Sequence, residues 1–261
     1  MSTSAVEITG VSKVFAARKG DISALTDIDL QVETGEFVSL IGPSGCGKST
    51  LLRIIAGLIP SSAGRVTVNG KSAEQARRDQ DYGFAFQQAG LLDWRSVAAN
   101  VELPLVVHKV PRAERRARAR ELLELVGLGD FAEHRPAELS GGMQQRVSIA
   151  RALAESPTLL LMDEPFGALD EMTRERMQGE LVRIAGDTAA AVVFVTHSIS
   201  EAVFLSRRVV VMSPRPGRIA DIIPIDLGDR NSRTREAPEF FAAVTRVREA
   251  LRGRAVTLDR L

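Results

Sequence analysis

An α/β fold built on a mostly parallel sheet is predicted from three observations. A glycine-rich turn, Gly42 to Thr50, joins an apolar strand-like run to a helical run; apolar runs near 158–162, 191–196 and 208–212 are separated by helical stretches; and the block from Gly90 onward turns helical in its spacing. Continuous apolar strands alternating with helices are what a parallel sheet covered on both faces requires.

Taken in order, residues 5 to 42 read as strands with turns. Val6, Ile8 and Val11 come first, then Ile28, Leu30 and Val32 alternate with polar neighbours, and Thr34-Gly35 turns the chain into the strand 36–41. Phe15 and the basic Arg18-Lys19-Gly20 interrupt this segment. Leu51 to Leu58 has helical spacing ended by Gly57 and Pro60, and Gly64 to Gly70 is a short strand closed by the turn signal Asn69-Gly70. Residues 71 to 81, all but devoid of apolar side chains, read as a loop, and Tyr82 to Phe86 as a strand running into Gln87-Gln88.

Leu91-Leu92-Asp93-Trp94 is an apolar knot in a loop, followed by helical stretches 96–107 and 112–126. Arg112, Arg115, Arg116, Arg118 and Arg120 give the second a basic face, but the interleaved Glu114, Glu121 and Glu124, with no aromatics between, mark a solvated surface rather than a nucleic-acid site. Ser140 is placed to cap a helix reaching about Ala154. A strand to Met162, a helix 171–186, a strand 191–196, a helix 199–205 and a strand 208–212 follow; the polar, arginine-rich remainder holds one helix near 236–252. The expected division is a domain 1–225, with a helical subdomain of about 90–155 inserted in it, and a tail 226–261.

Composition narrows the function. The 261 residues, 44% hydrophobic, suffice for a sizeable core, and 34 Lys+Arg against 33 Asp+Glu give no bulk reason for a nucleic-acid partner. A single cysteine, Cys46, excludes an internal disulfide and suits a reducing compartment. The N-terminal residues lack the basic and apolar regions of an export signal, and runs such as 189–195 fall far short of the roughly 18 to 20 residues that span a bilayer. The chain is expected to be soluble by itself and to reach a membrane only through a partner.

Gly42 to Thr50 fits the pattern glycine, four residues, Gly-Lys-Ser, between a strand and a helix. Glycines let successive N–H groups turn inward at a phosphate, and the helix N-terminus adds a partial charge of roughly +0.5. Lys48 then reaches the outer phosphates and the Ser49 hydroxyl binds Mg2+. Asp163 and Glu164 end an apolar strand, where open α/β sheets put ligands; one carboxylate there can hold a metal ion and a second can polarise a water.

These segments, with Leu139-Ser140-Gly141-Gly142-Met143, Leu159 to Pro165, Ala168-Leu169-Asp170 and Val195-Thr196-His197, resemble in this order the nucleotide-binding subunit of ATP-binding cassette (ABC) transporters over about residues 5 to 225. The resemblance implies a RecA-like P-loop NTPase core with an N-terminal antiparallel β subdomain and the inserted helical subdomain. It implies ATP and Mg2+ as cofactors. Gly42, Pro43, Ser44, Gly45, Cys46, Gly47, Lys48, Ser49 and Thr50 would wrap the phosphates, and Phe15 would stack on adenine. Ser49, Asp163 and Gln87 would meet Mg2+; Gln88 competes with Gln87 by position, and the Phe-Gln step favours Gln87. Glu164 would be the catalytic carboxylate, His197 the contact to the γ-phosphate, and Asp170 the residue coupling two sites. Ser140, Gly141 and Gly142 would close over the nucleotide of an opposite subunit, with Met143 where Gln is commonest.

The implied partners are a second copy of the chain, transmembrane permease subunits and, indirectly, a solute-binding protein, with no nucleic acid, at the cytoplasmic face of the inner membrane. Segments 86–95 and 213–219 resemble the nitrate, sulfonate and taurine importer branch, with Asp93 where that branch usually has Pro. Trp94 and Leu91 to Asp93 are then the expected permease surface, burial under the helical subdomain being the alternative. Two other readings are a soluble ABC ATPase without a membrane partner, which would carry tandem cassettes or a long coiled-coil insert, and an ATP-sensing regulator, which Glu164 and His197 argue against.

Overall fold

The structure is a computed structural model describing residues 4–18, 20–231 and 233–253. Lys19 of the basic turn, the first three residues and the last eight lie outside the described residues. Strands β1 (Ser4–Phe15), β2 (Ile22–Glu33) and β3 (Phe37–Ile41) lead into helix α1 (Lys48–Ile55), then β4 (Ala63–Val68), β5 (Lys71–Ser72), α2 (Ala73–Arg78) and β6 (Gly83–Ala85). Helices α3 (Val97–Val101), α4 (Leu103–Val107), α5 (Arg112–Leu125) and α6 (Gly141–Ala152) follow. The chain returns through β7 (Leu159–Asp163), α7 (Glu171–Thr188), β8 (Ala191–Val195), α8 (Ile199–Leu205), β9 (Arg208–Met212), β10 (Ile219–Pro224) and α9 (Pro238–Arg252).

A six-stranded sheet in the order β10-β9-β3-β8-β7-β6 is parallel except at β10, and an antiparallel sheet in the order β2-β1-β4-β5 faces it. Both parts of the expected α/β architecture are therefore present. The apolar runs behave as two-sided strands: in β8, Val192 and Phe194 enter one core while Ala191, Val193 and Val195 enter the other. The second core holds Leu51, Leu52, Ile54 and Ile55 of α1 between the two sheets, against Val6, Ile8 and Leu25. The first is continuous from β3, β7 and β8 through α3, α5 and α6 to α9, which contributes Phe240, Ala243 and Val247.

Four details depart from the sequence expectations. Residues 71 to 81 are not a loop but β5 and α2, because Ser72 caps the helix by accepting from Gln75 N, and Ala76, with Ala73 beside it, packs against the core. The stretch 96–107 is two short helices meeting at Glu102, with Pro104 in the first turn of the second. β10 was not anticipated; it pairs antiparallel with β9, and only Ile223 of its six residues is buried. On α5 the arginine face is not purely solvated: Arg115 pairs with Glu102, and Arg118 donates to the carbonyls of Leu153 and Ala154 and to Ser156.

Tyr82, the sole tyrosine, ties the start of β6 to α1 by donating its hydroxyl to Ala56 O at 2.5 Å. Burial pushes its phenol up to about 12. A raised phenol favours the neutral form in the fold, so this stabilisation is complete below about pH 10, the ordinary tyrosine value, and is lost as pH climbs toward the folded value. Tyrosinate absorbance should titrate near pH 12 in the native protein and near pH 10 in denaturant. A native midpoint equal to the denatured one would contradict the burial.

Candidate active site

β3, wholly buried, delivers the chain to Gly42, and the turn 42–47 feeds α1. Gly47 is the N-cap of α1 at φ 101, and a Cβ there would lie 2.6 Å from Leu25 Cδ2, so both conformation and the packing of β2 demand glycine. No side chain caps this helix, whereas Ser72, Ser96, Ser140, Asp170 and Ser198 cap α2, α3, α6, α7 and α8. The amides at the start of α1 are thus left for a ligand. Ser44, Gly45, Gly47, Lys48, Ser49 and Thr50 line an open cleft of about 520 Å³, opposite Phe15, Ile22 and Ala24 and beside Gln87, Glu164, His197 and Arg215.

The cleft is electrostatically prepared for an anion. Lys48, 7% exposed, donates to Gly42 O at 2.8 Å and Pro43 O at 3.1 Å. It has no carboxylate partner among the described residues. A nearly buried ammonium whose hydrogen-bond acceptors are two carbonyls and the Cys46 sulfur attracts phosphate strongly. Cys46 is buried, its thiol pushed up by desolvation although Lys48 pulls the other way; it fills space under the loop.

Ser49 Oγ donates to Asp163 Oδ1 at 2.8 Å, joining two residues 114 positions apart. Burial raises the Asp163 carboxyl above its ordinary range, against the Ser49 hydrogen bond and the charges of Arg53 and Lys48. A desolvated carboxylate beside a hydroxyl is a hard-oxygen pair that fits Mg2+, which keeps most of its shell from water and phosphate. Accordingly, no group of three or more His, Cys, Asp or Glu among the described residues could hold a metal unaided. Gln87, expected on the same ion, makes its contact elsewhere: Nε2 donates to Glu164 Oε2 at 3.5 Å.

Glu164 is the meeting point. His197 Nδ1 lies 3.1 Å from the same Oε2. Glu164 has φ 47, a left-handed conformation costing a non-glycine residue roughly 1–2 kcal/mol. It is held there by donating its N–H to Val195 O at 2.9 Å and accepting from Gly167 N at 3.2 Å, while Phe166, 1% exposed, anchors the loop against Phe194 with centroids 5.6 Å apart.

The remaining expected residues gather at a second place. Ser140 Oγ accepts from Met143 N, and Gly141 stands exposed with open space around it. Gly142 packs on the next loop, where a Cβ would lie 2.9 Å from Ala168 O. Asp170 caps α7 by accepting from Thr173 N at 3.0 Å, which lowers its carboxyl pKa. None of Ser140, Gly141, Gly142 or Asp170 lines the cleft of the same chain. Trp94 is 72% exposed, which rules out its burial under the helices.

Other residues support the site through contacts distant in sequence. Gln145, 3% exposed, donates to Phe86 O, and Arg151 donates to Ala89 O and Gly90 O, so α6 holds the loop carrying Gln87 from three points. Gly217 hydrogen-bonds through its N–H and C=O with Ala24 and Thr26 and presses on the glycine turn.

A model of the family described as ABC transporter matches residues 25–167. The taurine import ATP-binding protein TauB of Rhizobium johnstonii is 51% identical over 239 residues, 91% of this chain and 90% of that protein. The nitrate import ATP-binding protein NrtD of Synechocystis is 44% identical over 256 residues, 95% of this chain and 96% of that protein. Among solved structures, a dimer of the ATP-binding cassette MJ0796, in a post-hydrolysis state bound to ADP and Pi, superposes with a TM-score of 0.79 at 37% identity, covering 85% of this chain and 99% of that one.

A Cβ at position 217 would lie 1.9 Å from Cys46 O. Gly217→Ala should therefore displace the glycine turn and weaken binding of a fluorescent ATP analogue by about tenfold, near 1.4 kcal/mol, while the circular dichroism spectrum is kept. Unchanged affinity would show that this contact does not shape the loop.

Proposed function

This chain belongs to the ABC transporter ATP-binding family, and from that premise we propose that it is the ATP-hydrolysing subunit of an importer for a small anionic or zwitterionic solute of the nitrate, sulfonate or taurine kind. The observation that carries the ATPase reading is the convergence of Gln87 and His197 on one oxygen of Glu164, at the mouth of a cleft floored by the glycine turn. The solute class rests on the names of relatives sharing 44–51% of their residues with this chain over nearly its whole length.

In this reading the amides of 44–49 and the Lys48 ammonium bind the phosphates, and Phe15, 39% exposed on the opposite wall, stacks on the base. Ser49 and Asp163 would hold Mg2+, which would offset phosphate charge. Glu164 orients a water for in-line attack and accepts its proton; His197 keeps that carboxylate in register and donates toward the terminal phosphate. Gln87 reports on the loop 87–95 to the same carboxylate.

The cap Ser140-Gly141-Gly142 faces away from its own cleft, so a second copy arranged head to tail would supply it, with Asp170 between the two sites. Closure is favoured by contacts that exist only while the terminal phosphate is present. No helix among the described residues is long and apolar enough to cross a membrane, so coupling runs through a permease docked on Trp94 and its neighbours, at the cytoplasmic face. A solute-binding protein takes part indirectly.

Glu164→Gln should lower ATP turnover by at least about 100-fold while retaining nucleotide binding. In size-exclusion chromatography that variant should run as a dimer with ATP and as a monomer without it; a monomer at saturating ATP would sink the head-to-tail arrangement. A photo-crosslinker placed at position 94 should capture a polytopic membrane protein in intact cells, and capture of soluble proteins alone would remove the permease from the account.

A further inference from the structure

The polar stretch before α9 packs against the buried polar side chains next to His197. His197 is bracketed by Thr196 and Ser198, and both are fixed by one residue of α8. Thr196 Oγ1 donates to Glu201 Oε2 at 2.6 Å, and Ser198 Oγ accepts from Glu201 N at 3.3 Å. Ser198 N also donates to Thr196 Oγ1 at 2.9 Å, closing a small ring around the histidine's main chain.

The other oxygen of Glu201 is engaged from the far side. Gln178 of α7, 2% exposed, donates its amide to Glu201 Oε1 at 3.0 Å, and its carbonyl accepts from Arg235. Arg235 belongs to the short turn Thr234–Glu236 ahead of α9. Its guanidinium stacks 3.6 Å above the ring of the buried Phe204 and lies 3.7 Å from Glu175. Arg174 lies 3.7 Å from Glu201 Oε1 while donating to Leu169 O at 2.7 Å, one residue before Asp170. At the other end of the tail, Ala250 and Leu251 of α9 help wall an apolar cavity of about 280 Å³ shared with His197, Gly42 and Pro43.

We propose that Arg235 is a positioning residue for ATP hydrolysis: through the relay Arg235 to Gln178 to Glu201 to Thr196, the C-terminal tail sets the place of His197 against Glu164. The bonds converge on the Glu201 carboxylate, from a guanidinium through an amide on one side and from the Thr196 hydroxyl on the other, so a change at Arg235 is felt at the acceptor that holds Thr196. Removing Arg235 takes away the donor to the Gln178 carbonyl, and an amide that turns toward a new donor turns away from Glu201. The relay touches neither Lys48 nor the glycine turn. Its loss should fall on turnover and spare nucleotide affinity.

This inference rests on the ATPase reading, and two measurements separate their failures. In steady-state assays Arg235→Ala should lower kcat roughly 3- to 30-fold with KM for ATP within about twofold, and combining it with His197→Ala should add no further loss to the single-turnover rate of His197→Ala. In the nucleotide-free protein, the imidazole resonance of His197, assigned among three histidines with His197→Ala, should shift in Arg235→Ala and in Gln178→Met. Arg248→Ala, which removes an exposed arginine of α9, should change neither. If one relay variant does not fold, the other carries the test. An unmoved His197 resonance, an effect on KM with kcat intact, or an equal loss with and without His197 would overturn the relay. If both variants shift the resonance while the wild-type chain does not turn over ATP, the ATPase reading is overturned and the relay stands.

Discussion

Everything at the active site depends on the register of three parallel strands. β8 lies between β3 and β7, and Val195 at its end stands opposite both Leu40 and Asp163. Two residues beyond those partners the chain reaches Gly42 on one side and His197 in the middle, with Glu164 one residue on along β7. A slip of one residue in any of these strands would exchange the side chains entering the two cores and would also move a loop of the site by about 3.3 Å. The apolar contacts that fix the register, such as Phe194 against Phe37 and Phe166, therefore position the chemistry as surely as the polar residues do. Phe166 does so most directly, since it belongs to the loop that holds Glu164.

The site is built from groups held in states they would not choose alone. Lys48 is nearly buried without a counter-ion, Asp163 is a desolvated carboxylate with a raised pKa, and Glu164 sits in left-handed backbone. Each is tolerable because main-chain hydrogen bonds and packing over-determine it, and the charges of Lys48 and Asp163 are of the kinds that a phosphate and a hard cation would neutralise. A ligand that binds only the folded form adds RT ln(1 + [L]/Kd), about 2.7 kcal/mol at a hundred times Kd, so a cleft strained in this way is stabilised by what it binds.

What could be read from sequence was what is local. The glycine turn, the Ser140 cap and the strand-terminal Asp163-Glu164 and His197 each carry their meaning within a few residues, and the two-sided strands announce themselves as unbroken apolar runs. α2 was missed because six residues with one buried alanine leave no periodicity to detect, and β10 because an edge strand exposes most of its side chains. Gln145, Arg151, Gly217 and Arg235 were invisible for a different reason: each acts on a backbone or side chain between 57 and more than 150 residues away in the chain. Nothing in a run such as Pro214-Arg215-Pro216-Gly217 says that its glycine lies on the phosphate turn. The departures at Asp93 and Met143 left the architecture unaltered, since Met143 contributes only its main-chain N–H to the cap.

The arrangement of α6 links two places that sequence treats as separate. Its first turn is the exposed cap Ser140-Gly141-Gly142, and its body carries Gln145 and Arg151, which grip the chain at Phe86, Ala89 and Gly90 on either side of Gln87. A helix of 12 residues is stiff over its length, and its buried face, Val147, Ile149 and Ala150, packs into the core shared with β7 and β8. Displacement of the loop 87–95 must then either break three hydrogen bonds to α6 or carry the helix with it. The second is the lesser cost when the contacts resisting it are apolar side chains that can slide against one another, whereas a buried amide left without its carbonyl has no alternative partner. One rigid element thus makes the orientation of Gln87 toward Glu164 and the orientation of the Ser140-Gly141-Gly142 cap a single variable.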